Sequence, residues 1–218
     1  MARNSYAVFG MGSFGSKLAL ALARQGNTVL ICDSNPQRIN DLKDKVTEAV
    51  IGNVSNEDVV RELDVGKFDA VILSMSGYFE DQVLALTLLK QEGAKKVVVK
   101  SNSSIQERIL YRLGADEVIQ PELDVAERLS RRLSLSNITD IFEFRGSAIA
   151  DVVVPEYLCG KPLKELNLRN KYNITVLLMR KSGSMNESAV GPDTMLECGD
   201  QLTVFGEEKA IIELFKER

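Results

Sequence analysis

The sequence contains no histidine and no tryptophan. Without histidine there is no Ser-His-Asp or Cys-His dyad and no His-ligated zinc or haem. Cysteine is scarce. Cys32, Cys159 and Cys198 are odd in number and far apart, which reads as neither a disulfide framework nor a CxxC metal site. A reducing cytoplasm is the expected compartment. No apolar run approaches the ~18 residues that a spanning helix needs. Met1-Ala2-Arg3-Asn4-Ser5-Tyr6 runs straight into an apolar stretch without a signal-peptide core. Contact with a membrane is therefore expected through a partner, with no direct insertion. Basic residues are not in excess: 27 Lys and Arg stand against 31 Asp and Glu, a net charge of -4. No nucleic-acid partner is expected.

What remains is an ordinary globular composition, 44% hydrophobic and 27% charged over 218 residues. That length suits one large domain, or one medium and one small. The first part alternates apolar runs with helix-like stretches. Tyr6-Ala7-Val8-Phe9, Thr28-Val29-Leu30-Ile31-Cys32, Ala49-Val50-Ile51, Ala70-Val71-Ile72-Leu73, Lys96-Val97-Val98-Val99 and Glu117-Val118-Ile119 are the expected strands. Helices are expected over 14–25, from Pro36, and near 57–63, 79–92 and 103–113. Continuous apolar strands separated by helices predict a parallel sheet covered on both faces. The fold class expected is α/β, a Rossmann-like doubly wound domain over 1–121. A long amphipathic helix follows over 122–137, with Val125, Leu129, Leu133 and Leu135 as apolar positions and Arg128, Arg131 and Arg132 on solvated faces. The remainder, 138–218, reads as a small α+β domain. It has strands at 148–154, 174–179 and 201–205, a short helix over 162–169, and a closing helix over 207–216.

Gly10-Met11-Gly12-Ser13-Phe14-Gly15 is a GxGxxG directly after a strand and opening a helix. Gly10 permits the tight turn, Gly12 lets phosphates approach the backbone, and Gly15 lets the helix pack on the sheet. The helix N-terminus then offers free N–H groups and a positive dipole end. Asp33 ends the second strand, where an acid accepts hydrogen bonds from ribose hydroxyls and disfavours a 2′-phosphate. NADP is thus the dinucleotide least expected. Ligands in such sheets sit outside the carboxyl ends of the strands. That picks Gly52, Asn53 and Val54, then Ser74, Met75 and Ser76, and Lys100. Gly52-Asn53 serves equally as a plain turn, and Lys100 equally as a surface lysine. Tyr157 and Lys161 match the Tyr-x-x-x-Lys of short-chain dehydrogenases, but Pro155, Gly160 and Pro162 work against the helix that pair requires.

These motifs, with Leu113-Gly114-Ala115-Asp116 and Ile119-Gln120-Pro121-Glu122, resemble the RCK domain (regulator of K⁺ conductance) of the Ktr/Trk type. Gly160-Lys161-Pro162-Leu163-Lys164-Glu165-Leu166-Asn167-Leu168-Arg169, Ile174-Thr175-Val176, Pro192-Asp193-Thr194 and Gly199-Asp200-Gln201-Leu202 resemble that family's C-terminal domain.

The resemblance implies a regulator and not an enzyme: a cytosolic nucleotide-binding subunit, peripheral to the inner face of the membrane. It implies a homodimer built on the 122–137 crossover helix, an octameric ring of such dimers, and a K⁺-translocating membrane subunit whose pore the ring gates. The ligands implied are ATP and ADP, or NAD(H), at the glycine loop. A cation held by Glu122 at the dimer interface is also implied. The family's groove for cyclic di-AMP falls near Arg169 and Asn173. Glu122 serves equally as a carboxylate at a helix N-terminus. Ser13 stands where ATP-sensing members carry an arginine that reaches the γ-phosphate. An NAD(H)-binding oxidoreductase or redox-sensing protein is the alternative that shares the same pocket.

Overall fold

The computed structural model describes residues 3–75, 77, 79–135, 137–144 and 146–216. Two compact units divide the chain, Met1–Glu122 and Leu123–Arg218.

The first unit is built on six parallel strands: β1 (Ser5–Phe9), β2 (Thr28–Asp33), β3 (Glu48–Ile51), β4 (Ala70–Leu73), β5 (Val97–Lys100) and β6 (Glu117–Ile119). Their order is β3-β2-β1-β4-β5-β6. The chain winds outward in one direction from β1 and in the other from β4, which makes the sheet doubly wound and Rossmann-like. Five helices connect the strands: α1 (Ser13–Arg24), α2 (Pro36–Asn40), α3 (Glu57–Glu62), α4 (Phe79–Gln91) and α5 (Ser104–Arg112).

Strand periodicity splits the core in two. Ala7, Phe9, Leu30, Cys32, Val71 and Leu73 pack with Val60, Leu86, Leu89 and Leu110 of α3, α4 and α5. Val8, Val29, Ile31 and Ile72, one residue out of step, pack with Ala19 and Ile39 of α1 and α2. Successive side chains point to opposite faces, so the apolar runs have no polar alternation because both faces are covered.

Helix α6 (Pro121–Ser134) spans the boundary after Glu122. Pro121 at its first turn forfeits no internal bond. It contains no buried residue. Leu123, Val125, Leu129 and Leu133 are 41 to 76% exposed. Leu135 departs from the expected stripe, packing against the core of the second unit; Ser136 lies outside the described residues. The arginines are not all solvated either, since Arg131 pairs with Glu143 and with Glu208.

The second unit carries an antiparallel sheet of order β10-β9-β11-β8-β7. Its strands are β7 (Ile138–Phe144), β8 (Ser147–Val153), β9 (Thr175–Arg180), β10 (Glu187–Ala189) and β11 (Gln201–Gly206). Ala148, Ala150 and Val152 face the core, which Ile211, Leu214 and Phe215 of α9 (Glu208–Phe215) complete. Phe142, Ile149 and Phe205, in register across β7, β8 and β11, are exposed.

The single helix expected over 162–169 is two short ones, α7 (Leu163–Leu166) and α8 (Leu168–Tyr172). Asn167 between them is left-handed (φ 46°), which ends α7 as a C-terminal cap does. A larger correction concerns cysteine. Cys159 and Cys198 form a disulfide across 39 residues of sequence, their Cα atoms 5.2 Å apart. The expectation that these cysteines form no disulfide framework is thereby corrected, with Cys32 left as a free buried thiol.

Candidate functional site

The carboxyl ends of β1, β2, β3 and β4 converge on a cavity of about 430 Å³. Gly10, Gly12, Asp33, Asn53, Val54, Ser74 and Met75 line it. Gly10 is left-handed (φ +91°), and its N–H donates to the Cys32 carbonyl at 2.8 Å, which turns the chain over the end of β2. A Cβ on Gly15 would lie 2.1 Å from the Gly10 carbonyl oxygen and 2.8 Å from Ser74 Oγ. Only glycine lets α1 start there. A Cβ on Gly12 would meet nothing within 4 Å.

Three observations fit this cavity to an anionic ligand. Gly12, the N-cap of α1, supplies no side chain to cap the helix, whose N-terminus is left for a ligand. Ser74 Oγ is buried without a hydrogen-bond partner among the described residues, and a buried hydroxyl is costly to leave unsatisfied. The space over Gly12 is open.

Asp33 is buried at the end of β2 and organises the loop. Its Oδ2 accepts the Met11 N–H at 2.5 Å, and its Oδ1 accepts the Asn35 N–H at 2.8 Å. Arg38 of α2 donates to Oδ2 at 3.4 Å. The Cys32 thiol beside it is pushed up to about 12, by burial first and then by the Asp33 charge. Asn53 folds onto its own turn, its Oδ1 accepting from Ser55 N–H at 3.0 Å and Ser55 Oγ at 2.6 Å.

Several candidates lie apart from the cavity lining. Met11 is buried in the core facing α1 and α2. Ser13 is exposed in the first turn of α1, and Phe14 and Gly15 follow within the helix. Ser76 lies outside the described residues. Lys100 is not the surface lysine of the simpler expectation. Its side chain is 8% exposed, and Nζ lies 2.5 Å from Glu122 Oε1. That hydrogen bond holds the Glu122 carboxyl below the usual carboxylate range, although Glu122 is 68% exposed. Among the described residues no cluster of three acids or thiols is placed to hold a metal.

Arg38, Asp81 and Gln82 were not legible as site residues. Arg38 and Asp81 line the cavity. Gln82 is buried on α4, and its amide donates to the Met75 carbonyl at 3.0 Å and the Lys100 carbonyl at 2.6 Å. It thereby ties the ends of β4 and β5 together. A glutamine one turn into a helix carries no signal in sequence for that task.

The second unit has its own concavities. One of about 240 Å³ is lined by Leu163, Lys164, Asn167, Arg169, Thr175 and Pro192, among others. Arg169 lines this cavity; Asn173 caps α8 in a left-handed conformation and is not part of the lining. Tyr157 and Lys161 do not share a helix. Glu156–Leu158 is one 3-10 turn, Cys159 is extended, and the Tyr157 hydroxyl donates to the Leu214 carbonyl.

Comparison with known proteins adds the following. The model of the TrkA-N domain matches residues 6–121, and that of the TrkA-C domain matches 148–217. The Ktr system potassium uptake protein A of Vibrio alginolyticus is 30% identical, over 97% of this chain and 96% of its own length. The Ktr system potassium uptake protein C of Bacillus subtilis is 27% identical, over 94% and 92%. Among solved structures, the GsuK RCK domain superposes with a TM-score of 0.65 at 17% identity, over 98% of this chain and 47% of that one. The GsuK channel bound to NAD gives 0.66 at 17% identity, over 100% and 40%. These two likenesses speak to the fold.

Proposed function

The chain belongs to the family in which a TrkA-N domain precedes a TrkA-C domain, and on that premise we propose that it is the nucleotide-responsive regulatory subunit of a Ktr-type potassium-uptake system. Its relatives named as Ktr potassium uptake proteins are matched nearly end to end. Among the described residues no helix is long and apolar enough to cross a membrane, so the K⁺-translocating subunit is a separate membrane protein, reached from its cytoplasmic face. The domain division follows as 1–121 for the nucleotide, 122–137 for the crossover helix, and 138–218 for the C-terminal domain.

The observation that carries this reading is the cavity beside Gly12, with the orphan Ser74 hydroxyl and the uncapped start of α1. Phosphates sit on the α1 N–H groups, and the adenosine ribose sits against Asp33. ATP, ADP and NAD(H) all carry that ribose and those phosphates. Among solved neighbours, a GsuK channel is bound to NAD and a Kef C-terminal domain from Shewanella denitrificans is in an AMP-bound form. The subunit senses its nucleotide and does not turn it over. The exposed stripe of α6 supports a homodimer, and such dimers close into an octameric ring. Glu122 then serves a cation only together with a second copy, once Lys100 releases it. The groove at Arg169 is the place for cyclic di-AMP.

The test is the nucleotide that copurifies, identified by mass spectrometry. Titrations of ATP, ADP and NADH on wild type and Asp33→Ala follow. Asp33→Ala weakens all three together by ten- to a hundredfold, as expected for a charged hydrogen bond of about 1.5–3 kcal/mol. Absence of binding by all three on wild type overturns the reading. Steady hydride turnover with NADH overturns the regulator in favour of an oxidoreductase.

A further inference from the structure

The Cys159–Cys198 bridge closes a clip between two segments, 159–164 and 192–198. Within it the Gly160 N–H donates to the Leu196 carbonyl at 2.8 Å, and the Leu196 N–H returns to the Lys161 carbonyl at 3.1 Å. The Leu163 N–H donates to Thr194 at 3.0 Å, and the Lys164 N–H to Pro192 at 2.8 Å. Pro162 and Met195 form a β-bridge between them. The turn that carries Cys198 is pinned separately, by the buried Asp200 carboxylate accepting the Glu197 N–H at 3.0 Å and the Ser182 N–H at 3.1 Å. Leu158 and Leu196 anchor the clip in the core. Backbone hydrogen bonds thus hold the two segments alongside the covalent bond between the sulfurs.

The sulfurs are also reachable. Cys198 is exposed and Cys159 half-exposed, whereas the third cysteine, Cys32, is fully buried and its thiol is pushed up to about 12. Reactivity follows thiolate character and access, so exchange is confined to one pair and cannot scramble onto Cys32.

We propose that Cys159 and Cys198 form a reversible thiol–disulfide exchange site whose substrates are small cellular thiols of the glutathione class. A glutathione thiolate attacks the more exposed sulfur, that of Cys198. The S–S bond breaks, a mixed disulfide forms on Cys198, and Cys159 leaves as a thiolate that takes up a proton. A second thiolate attacks the mixed disulfide, releases oxidised glutathione, and leaves Cys198 as a thiol. Two electrons pass from two glutathione thiols to the bridge, and the reverse sequence restores it.

The clip leads into a ligand-sized space. Leu163 and Lys164 on one segment, and Gly191 and Pro192 on the other, form walls of the cavity of about 240 Å³. The covalent rung thus fixes the spacing of those walls, and its reduction loosens them. This coupling is independent of which ligand the groove takes.

The test uses the full-length chain, equilibrated in glutathione buffers graded from reduced to oxidised, quenched by alkylation and weighed by mass spectrometry. One cooperative step of two alkyl groups is expected, absent in Cys159→Ser and in Cys198→Ser, with Cys32 alkylated only after unfolding. In hydrogen exchange, the Gly160, Leu163, Lys164 and Leu196 amides exchange about tenfold faster on reduction, and the β1 and β4 amides are unchanged. A bridge that native buffers never reduce, or a pair that they never oxidise, overturns the exchange site. Equal exchange at the clip in both states overturns its coupling to the groove.

Discussion

The two units solve the same problem of burying a sheet in opposite ways. In the first, parallel strands are apolar along their length because helices cover both faces. All strand ends then point one way, and the ligand space is placed by topology where the winding reverses, between β1 and β4. In the second, antiparallel strands alternate. Ala148, Ala150 and Val152 are buried while Ile149 and Asp151 stay exposed. Strand ends point both ways, and its cavity of about 240 Å³ is walled by short helices, by the segment at Gly191–Pro192 and by the start of β9. The first unit thus places its cavity by topology at one turn, and the second does not.

The largest effect tests the strictness of that turn. Gly15→Val places a branched side chain where even a Cβ would lie 2.1 Å from the Gly10 carbonyl. The loop must move, and with it Asp33's bond to the Met11 N–H. Nucleotide affinity falls at least a thousandfold, about 4 kcal/mol. The second unit, which lacks that turn, keeps its sheet. Titration calorimetry reads the affinity, and hydrogen exchange at β8 and β11 shows that the second unit is intact. A Gly15→Val protein that binds nucleotide within tenfold of wild type would break the comparison.

Next comes the exposed stripe of α6. Leu129→Glu puts a carboxylate into whatever surface covers Leu123, Val125 and Leu133. Burying an unpaired charge costs on the order of 3 kcal/mol or more. The dimer therefore shifts to monomer at micromolar concentration by light scattering, with each unit still folded by circular dichroism. A wild-type chain that is already monomeric there removes the stripe's role.

Asp200 offers the acid test of the second unit. Burial alone would raise its pKa, but the Lys181 ammonium at 2.9 Å and the Glu197 and Ser182 N–H groups outweigh that and hold it below the ordinary value. A depressed carboxylate contributes stability above its unfolded pKa near 3.9 and loses it as pH falls through the folded pKa. Asp200→Asn should cost about 2 kcal/mol at neutral pH. The gap to wild type stays flat above about pH 5 and closes below about pH 4. Urea titrations across that range check it; a gap that widens on acidification contradicts the assignment.

What was legible in the sequence follows the same division. Gly10, Gly12, Gly15 and Asp33 are joined by local geometry over a strand, a turn and a helix, and their spacing alone placed them. Helices α1, α4 and α5 were legible because each covers one face of a buried sheet. The Cys159–Cys198 bridge was not, because it depends on two segments meeting across 39 residues. Arg38 escaped for a related reason: it reaches Asp33 only because α2 starts sharply at Pro36, with Asn35 capping it by accepting the Gln37 N–H. Strand β10 has three exposed residues and no apolar alternation to announce it. Asn167 divides two helices by one left-handed residue in a stretch that otherwise reads as continuous.

The smallest effect concerns Ser13 of the first unit. It is exposed in the first turn of α1, beside the N–H groups that we propose serve the α- and β-phosphates. A hydroxyl donates one neutral hydrogen bond and adds no charge toward a γ-phosphate. Lys100, which does not line the cavity, is held 2.5 Å from Glu122 and in this arrangement adds no charge toward a γ-phosphate. ATP and ADP are therefore expected to bind within about tenfold of each other, a gap of about 1.4 kcal/mol or less. Ser13→Arg should raise ATP affinity more than ADP affinity, because a charged donor then reaches the terminal phosphate. Glu122→Gln weakens the hold on Lys100. If Lys100 then turns to the nucleotide, ATP gains over ADP without any divalent cation. Titrations of both nucleotides on the three proteins, with and without divalent cation, decide it. A hundredfold preference of the wild type for ATP without divalent cation would overturn this reading of Ser13.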